Sequence, residues 1–256
     1  MSDLVRIEHH DAGALWRVTF GTGRGNILDR ATMRAIAVVF EEARRSAALK
    51  AVVIEGDGDH FSFGASIQEH LPAEVPAMLA GLRSLVFAVL ESDVTVLAAV
   101  RGQCLGGGLE LASLCHRIFA TNNARFGQPE IALGAFPPLA SLLLPERIGR
   151  ARAEDLCLTG RVVDADEARE MGIIDEVAVD DPGKAALTWA RGNLLPHSAS
   201  SLRLAVKALR AGLVSRLRVE LPAMERLYID ELMKTSDAVE GVRAFLEKRP
   251  PGWKDR

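Results

Sequence analysis

An α/β fold that ends in a helical C-terminal region is the architecture that this sequence predicts. Apolar segments of strand length alternate with amphipathic segments of helical period over the first two thirds of the chain, which is typical of strands joined by crossover helices. From Pro182 onward the period is helical, and "GIIDEVAV" just before it is the last convincing strand. With 48% hydrophobic residues among 256, the chain can fill the core of one large domain, or of one domain that carries an appendage.

The first elements follow from local patterns. The segments "VRIEH" and "ALWRVTF" are predicted strands of a hairpin around "DAG". Asp29 is expected to cap a helix from about Arg30 to Ser46, whose apolar residues recur at helical spacing. "KAVVIEG" and "VTVLAAVRG" have the apolar centres of buried strands in a mostly parallel sheet, and a helix at about 75–90 separates them. "HRIFAT" is a further strand, which follows a glycine-rich turn and a short helix.

The C-terminal region is predicted to contain three amphipathic helices, at 198–212, 216–234 and 236–248. We therefore divide the chain into an α/β core at residues 1–195 and a helical region at 196–256. There are no internal repeats, low-complexity runs or long linkers. Any ligand site is expected in the core, where parallel strands end.

Composition narrows the possible partners. Acidic residues outnumber basic ones by 34 to 31, so no overall positive charge attracts nucleic acid or an anionic membrane surface. The three cysteines are odd in number and lack metal-ligand spacing, which fits a reducing compartment. The start "MSDLVRIEHH" does not resemble a signal peptide, and no apolar stretch reaches 18 residues. We expect a soluble cytoplasmic protein.

Three consecutive glycines stand directly before a predicted helix in "CLGGGLELA", residues 104–112, and Glu110 lies in the first turn of that helix. Because a glycine in a helix costs roughly 1 kcal/mol relative to alanine, this run needs a reason. Close packing of strand on helix is one explanation. A phosphate cradle is another, but the lysine of the Walker motif is missing. A third is that a substrate oxygen approaches the free N–H groups of the helix N-terminus.

Two further loops contain small residues after a strand. "HFSFGASI", residues 60–67, lacks the nucleophile-elbow pattern but can supply a backbone N–H to a bound oxygen. "ARFGQPEIALG", residues 124–134, contains Glu130. An exposed position is the commoner explanation for any single glutamate. Glu110 and Glu130 become general acid and base candidates only if they face one pocket, and spacing alone does not decide this. A third loop, "FGTGRGN" at 20–26, is a weak match to a dinucleotide fingerprint.

Taken together, "FSFGASI", "GQCLGGGLELA" and "FGQPEIALG" closely resemble the crotonase (enoyl-CoA hydratase/isomerase) superfamily, and the resemblance covers essentially the whole chain. It implies a spiral of ββα units, with the acyl-CoA site in residues 1–195. It also implies a trimerisation region in residues 196–256, with homotrimers or hexamers built as dimers of trimers. The expected ligand is an acyl-CoA thioester. Coenzyme A is then part of the substrate, and no metal or other cofactor is expected.

The resemblance also implies roles for individual residues. The backbone N–H groups of Ala65 and Gly107 match the pair that binds the thioester oxygen in this family. The presence of both Glu110 and Glu130 favours hydration, with Glu110 as the base for water and Glu130 as the proton donor. "AFLEKR" resembles the stretch near the CoA adenine, which makes Phe245 and Lys248 candidate contacts.

Phe63 and Ile67, on either side of Ala65, are further candidate contacts with the CoA moiety. Since CoA can be shared between subunits in this family, the contacts in the C-terminal stretch can belong to a neighbouring copy.

Two departures from the common family pattern point to an unusual acyl group. Ser66 replaces the usual acid, and "AFPPLASLLLPERIG" replaces a glycine-rich segment. At subfamily level the chain resembles hydratases of a cyclic dienoyl thioester, cyclohexa-1,5-diene-1-carbonyl-CoA, from anaerobic benzoyl-CoA degradation. A general enoyl-CoA hydratase or a hydratase of the cyclic monoene is the alternative. Some proteins with this fold bind RNA, but a net charge of −3 and the lack of a lysine-rich stripe disfavour that activity.

Overall fold

Nine strands and nine helices follow one another along residues 4–256, the residues that this computed structural model describes. The strands are β1 (Val5–His10), β2 (Leu15–Phe20), β3 (Ala51–Gly56), β4 (Thr95–Val100), β5 (Gln103–Leu105), β6 (Arg117–Thr121), β7 (Arg125–Gly127), β8 (Val162–Asp164) and β9 (Glu176–Ala178). The helices are α1 (Arg30–Arg45), α2 (Val75–Leu90), α3 (Gly107–Ser113), α4 (Ala140–Ile148), α5 (Arg150–Thr159), α6 (Ala165–Met171), α7 (Pro182–Asn193), α8 (Ala199–Arg226) and α9 (Ser236–Leu246). Residues 1–3, which begin the stretch examined for a signal peptide, lie outside the described range.

The larger sheet has six strands in the order β1-β2-β3-β4-β6-β9. β1 and β2 form the predicted antiparallel hairpin, and every other neighbouring pair is parallel. Both predictions are therefore confirmed. β3 is buried along its whole length because its two faces enter two hydrophobic clusters: Val52 and Ile54 belong to the larger one, and Ala51 and Val53 to the one beside α7. Burial on both faces explains the continuous apolar run of this strand.

Helix α1 shows how the local pattern specifies an element. The Asp29 side chain accepts a hydrogen bond from the Thr32 N–H at 2.8 Å, which confirms the predicted cap. Met33, Ile36 and Phe40 are buried on the face that packs against the larger cluster. The helix spacing in the sequence thus becomes a buried stripe that covers one face of the sheet.

A second sheet, of three short strands, was absent from the sequence prediction. Its order is β5-β7-β8, with β5 and β7 parallel and β8 antiparallel to β7. Three residues are too few to show a period of two, so these strands had no recognisable pattern. In the parallel register Leu105 is the partner of Gly127. Two turns therefore leave the sheet side by side, one leading into α3 and the other into the Pro129–Leu133 3₁₀ turn.

The prediction of separate helices at 198–212 and 216–234 is wrong. α8 runs without interruption from Ala199 to Arg226, then continues as a π-helical segment at Leu227–Glu231 and a 3₁₀ turn at Leu232–Lys234. Gly212 does not break it, because a glycine costs only about 1 kcal/mol in a helix and packing against α2 supplies more stabilisation.

The last predicted helix is present as α9, which ends at Leu246 rather than at residue 248. Lys248 adopts a left-handed conformation, with φ of 54°, and so cannot continue the helix. No helix within residues 4–256 combines the length and the apolar character needed to cross a bilayer.

Candidate active site

The glycine run forms the turn between β5 and α3, and each glycine faces a close neighbour. At Gly106 φ is +50°, and a Cβ there would lie 2.6 Å from Oε1 of Glu130. A Cβ on Gly108 would lie 2.8 Å from the Cβ of Ser62. Gly106 therefore needs glycine for two reasons, its backbone conformation and the approach of a carboxylate. Close packing is therefore one reason for the glycine run, and the approach of a substrate oxygen to its N–H groups stays a prediction.

Two backbone N–H groups lie next to each other where this turn meets the loop after β3. A Cβ on Gly107 would lie 3.2 Å from the backbone nitrogen of Ala65. Within residues 4–256, neither the Ala65 N–H nor the Gly107 N–H donates a hydrogen bond to a backbone acceptor. Ser62 holds the loop in place, because its hydroxyl donates to Asn26 O at 2.8 Å and accepts from Gly64 N–H at 3.0 Å. Two free donors fixed in this way can bind an oxygen that gains negative charge.

Glu110 is buried near the start of α3 with 3% exposure. Its Oε1 accepts hydrogen bonds from the backbone N–H groups of Leu139 and Ala140, both at 2.9 Å. Burial raises the pKa of this carboxyl above its usual range, although the two N–H groups act in the opposite direction. The side chain is thus fixed in position while its ionised form is disfavoured.

Glu130 lies in the 3₁₀ turn after β7, and it is half-buried. Burial raises the pKa of this carboxyl, and the charge of nearby Glu110 raises it further. With its amide nitrogen turned toward Glu130, Gln128 donates to both carboxylate oxygens at 3.0 and 3.1 Å. Two coupled carboxyls with raised pKa values can hold one proton between them near neutral pH. Such a pair offers an acid and a base at the same time.

An open cavity of about 920 Å³ extends from this pair of turns to the surface. Ala65 and Pro129 are among its lining residues, which places one of the two N–H donors and the start of the Glu130 turn at its wall. Gly107, Glu110 and Glu130 do not belong to this lining. Of the predicted CoA contacts, the lining includes Phe63, Ile67 and Phe245. Lys248 lies outside this lining.

Sequence reasoning missed two arginines of this cavity. Arg24 and Arg249 line it and are exposed at its open end. Arg24 belongs to the "FGTGRGN" loop, which was considered only as a weak dinucleotide motif. Arg249 follows Lys248 directly and is held by Glu240 at 2.5 Å and Glu247 at 2.6 Å. A basic residue between glycines was the available signal for Arg24.

A carboxyl pair with raised pKa values close to two free N–H donors is typical of acid–base enzymes that act on carbonyl compounds. Similarity to known proteins identifies the family. The model of the enoyl-CoA hydratase/isomerase family matches residues 12–256. The cyclohexa-1,5-dienecarbonyl-CoA hydratase of Thauera aromatica is 48% identical over 244 residues, 95% of this chain and 94% of that protein. The 2,3-dehydroadipyl-CoA hydratase of Escherichia coli K12 is 33% identical over 90% of this chain and 91% of that protein.

Solved structures agree with the sequence relatives. A crystal structure of an enoyl-CoA hydratase from Mycobacterium avium subsp. paratuberculosis superposes with a TM-score of 0.84, at 28% identity, and covers 98% of this chain and 99% of that one. The chain belongs to the enoyl-CoA hydratase/isomerase family and has the crotonase fold. It is a hydro-lyase, and both the predicted fold class and the predicted family are confirmed.

Proposed function

We propose that this enzyme adds water to cyclohexa-1,5-diene-1-carbonyl-CoA and forms 6-hydroxycyclohex-1-ene-1-carbonyl-CoA. The observation that carries the proposal is the 48% identity, over 95% of the chain, to the Thauera aromatica hydratase named for this substrate. Relatives with other hydratase or dehydratase names are less similar, at 30% to 35% identity. We place the reaction in the anaerobic degradation of benzoyl-CoA.

We assign the acyl wall to residues 135–144, which hold Glu110 but are not part of the lining of the 920 Å³ cavity. Residues 135–144 supply two prolines and then the first turns of α4, and Leu139, Leu143 and Leu144 are buried in the core. The same segment supplies the two N–H groups that hold Glu110. This segment is held by its buried leucines and by its hydrogen bonds to Glu110, so it should change shape little on binding. A rigid wall of this kind suits a flat ring better than a mobile chain.

The proposed reaction uses the two halves of the site together. The N–H groups of Ala65 and Gly107 bind the thioester oxygen. Glu110 takes a proton from water as the water oxygen bonds to the carbon β to the carbonyl, and the displaced π electrons form a dienolate. Glu130 then gives its proton to the far carbon of the former diene, which completes a 1,4-addition. One proton passes from Glu110 to Glu130 to restore the pair.

Stabilisation of the dienolate is the main task of the two backbone donors. In comparable sites one such donor contributes about 3 to 4 kcal/mol to the transition state. General acid–base catalysis by a positioned carboxyl contributes roughly 10²- to 10⁴-fold in rate.

The CoA moiety is assigned to the open end of the cavity. Arg24 offers positive charge there for its phosphates, whereas the charge of Arg249 is already paired with Glu240 and Glu247. Phe63, Ile67 and Phe245 offer apolar contacts in the same cavity. Lys248 lies outside the lining within one chain, and we assign it to the CoA of a neighbouring copy in a homotrimer or a hexamer.

A side-by-side assay of three thioesters tests the substrate. We expect the cyclic diene to exceed crotonyl-CoA in kcat/KM by at least roughly 100-fold, because several mismatches of about 1–3 kcal/mol each act together. The cyclic monoene is expected between them. Comparable kcat/KM values for the diene and crotonyl-CoA would leave a general enoyl-CoA hydratase instead.

A further inference from the structure

Tyr228 is the single tyrosine of the chain, and it is buried with 2% exposure. It lies where α8 passes into its π-helical segment. Segments of this kind are rare and frequently occur at functional sites. One turn earlier, the buried carboxylate of Glu225 pairs with Arg83 of α2, which fixes this part of the helix. The position of the tyrosine is therefore well defined.

The ring of Tyr228 packs against the proposed acyl wall. Its centroid lies 5.2 Å from that of Phe136 and 6.4 Å from that of His70. Phe136 lies in the segment that begins at Glu130 and ends at the N–H groups that hold Glu110. The Tyr228 ring thus lies against the connection between the two carboxyls.

The hydroxyl of Tyr228 is available for a ligand. Two of the neighbours of its ring are the aromatic rings of His70 and Phe136, and within residues 4–256 the hydroxyl makes no hydrogen bond. Its oxygen is not one of the fully enclosed polar atoms that lack a partner, so it remains open to the space beside it. Burial and the nearby charges of Glu130 and Glu110 raise the pKa of Tyr228 well above its usual value. The phenol therefore stays protonated and acts as a hydrogen-bond donor.

The carboxyls themselves already have donors. Both N–H groups at the start of α4 bind Glu110, and the Gln128 amide can bind Glu130. A water that gives its protons to this pair has two oxygen lone pairs left, of which one attacks the substrate. The other lone pair needs a donor, and Tyr228 offers a neutral one, because its ring packs against Phe136 in the segment that joins Glu130 to the N–H groups that bind Glu110.

We infer that Tyr228 is a positioning residue whose hydroxyl donates a hydrogen bond to the oxygen that water adds to the substrate, while its ring bounds the acyl ring. This rests on the proposed hydration at the same site. The same bond would hold the alcohol oxygen of the product in the reverse reaction.

Tyr228→Phe tests the hydroxyl because it keeps the ring. We expect kcat for the diene thioester to fall about 10- to 100-fold, with KM and Tm little changed, as one hydrogen bond to a reacting oxygen is lost. Phe136→Leu is the matched control for the wall: it keeps the hydroxyl and is expected to raise KM more than it lowers kcat. An unchanged kcat in Tyr228→Phe would overturn the inference.

A spectroscopic test uses the single tyrosine. Growth with 3-fluorotyrosine places one ¹⁹F label in the chain, at residue 228. We expect benzoyl-CoA, which carries an unreactive ring, to shift this resonance, whereas acetyl-CoA leaves it near its free position. Equal spectra with saturating benzoyl-CoA and acetyl-CoA would overturn the inference. The diene assay of the wild-type enzyme does not depend on the role of Tyr228. Absence of turnover in that assay would count against the proposed function and not against the inference about Tyr228.

Discussion

The two halves of the candidate site differ in the chemical groups that form them, which are backbone N–H groups in one half and side-chain carboxyls in the other. On one side the Ala65 and Gly107 donors belong to the backbone, and glycines hold them in place. On the other side Glu110 and Glu130 are titratable side chains, whose pKa values burial raises. The backbone half keeps its charge state at every pH and is sensitive to added atoms. The carboxyl half is sensitive to protonation and to isosteric replacement. Experiments can therefore address each half alone.

The largest expected effect comes from the carboxyl half. Glu110→Gln and Glu130→Gln preserve size and remove proton transfer, so each should lower kcat at least about 100-fold. Binding of the acyl-CoA product, measured by calorimetry, should persist. Glu170→Gln, at an exposed position of α6, is the control and should keep full activity. Near wild-type turnover in either active-site variant would contradict the assigned role.

A smaller effect on kcat is expected from substitution of Gly106, which belongs to the backbone half and lies against Glu130 of the carboxyl half. In Gly106→Ala the new Cβ meets Glu130 Oε1, which must move, and kcat should fall about 10- to 100-fold. Gly149→Ala is the matched control, because Gly149 also has a positive φ, of +81°, but has open space around it. Both variants should lose about 1 kcal/mol or more of stability from backbone strain. Equal kcat values in the two variants would show that strain alone is responsible.

The backbone half can be disturbed alone with Gly107→Ala. Its Cβ would lie 3.2 Å from the Ala65 nitrogen and narrow the oxygen-binding slot. We expect kcat to fall roughly ten-fold, less than for complete loss of a donor. Infrared spectra of the bound thioester should show a carbonyl band closer to its free frequency than in the wild type.

Gly212→Ala, in α8 with nothing near the added atom, is the control for Gly107→Ala. It should leave the infrared band unchanged and raise stability by a few tenths of a kcal/mol. A wild-type carbonyl shift in Gly107→Ala would mean that these glycines serve packing only.

The smallest expected effect concerns stability against pH. A carboxyl with a raised folded-state pKa favours folding below its unfolded pKa, about 4.3 for glutamate, and this stability is lost as pH rises through the folded pKa. Glu130→Gln removes this carboxyl, so the variant should not lose that part of its folding stability as the pH rises. At constant protein concentration, its free energy of unfolding relative to wild type should improve by at least about 1 kcal/mol between pH 4.5 and pH 8. A pH-independent difference between Glu130→Gln and wild type would contradict the raised pKa.

The sequence predicted elements that depend on local pattern. Asp29 and the buried stripe of α1 are visible within one window, and so is the doubly buried run of β3. The three-residue strands β5 and β7 are not, because their pairing depends on partners distant in the chain. The predicted boundary between helices at residues 212 and 216 is also wrong, because α8 continues through it.

In the site, too, individual residues could be predicted from the sequence, whereas contacts between distant segments could not. The family resemblance proposed Ala65, Gly107, Glu110 and Glu130, whereas their spacing left open whether the two acids meet. That meeting depends on the register of β5 with β7. Tyr228 lies about a hundred residues further along the chain, and no local pattern connects it with the carboxyls. The division of the chain at residue 195 falls between α7 and α8 and stays a prediction.

The two hydrogen bonds that hold Glu110 come from main-chain N–H groups of Leu139 and Ala140, which all residues except proline can supply. Side chains at these two positions can therefore drift during evolution, and the acyl group that is accepted can change, without displacement of the proposed base. The length of the segment between Glu130 and Ala140 cannot change in the same way, because an insertion or a deletion would move the Leu139 and Ala140 N–H groups relative to Glu110. An engineer who wants a new acyl specificity should substitute residues in this segment and keep its length.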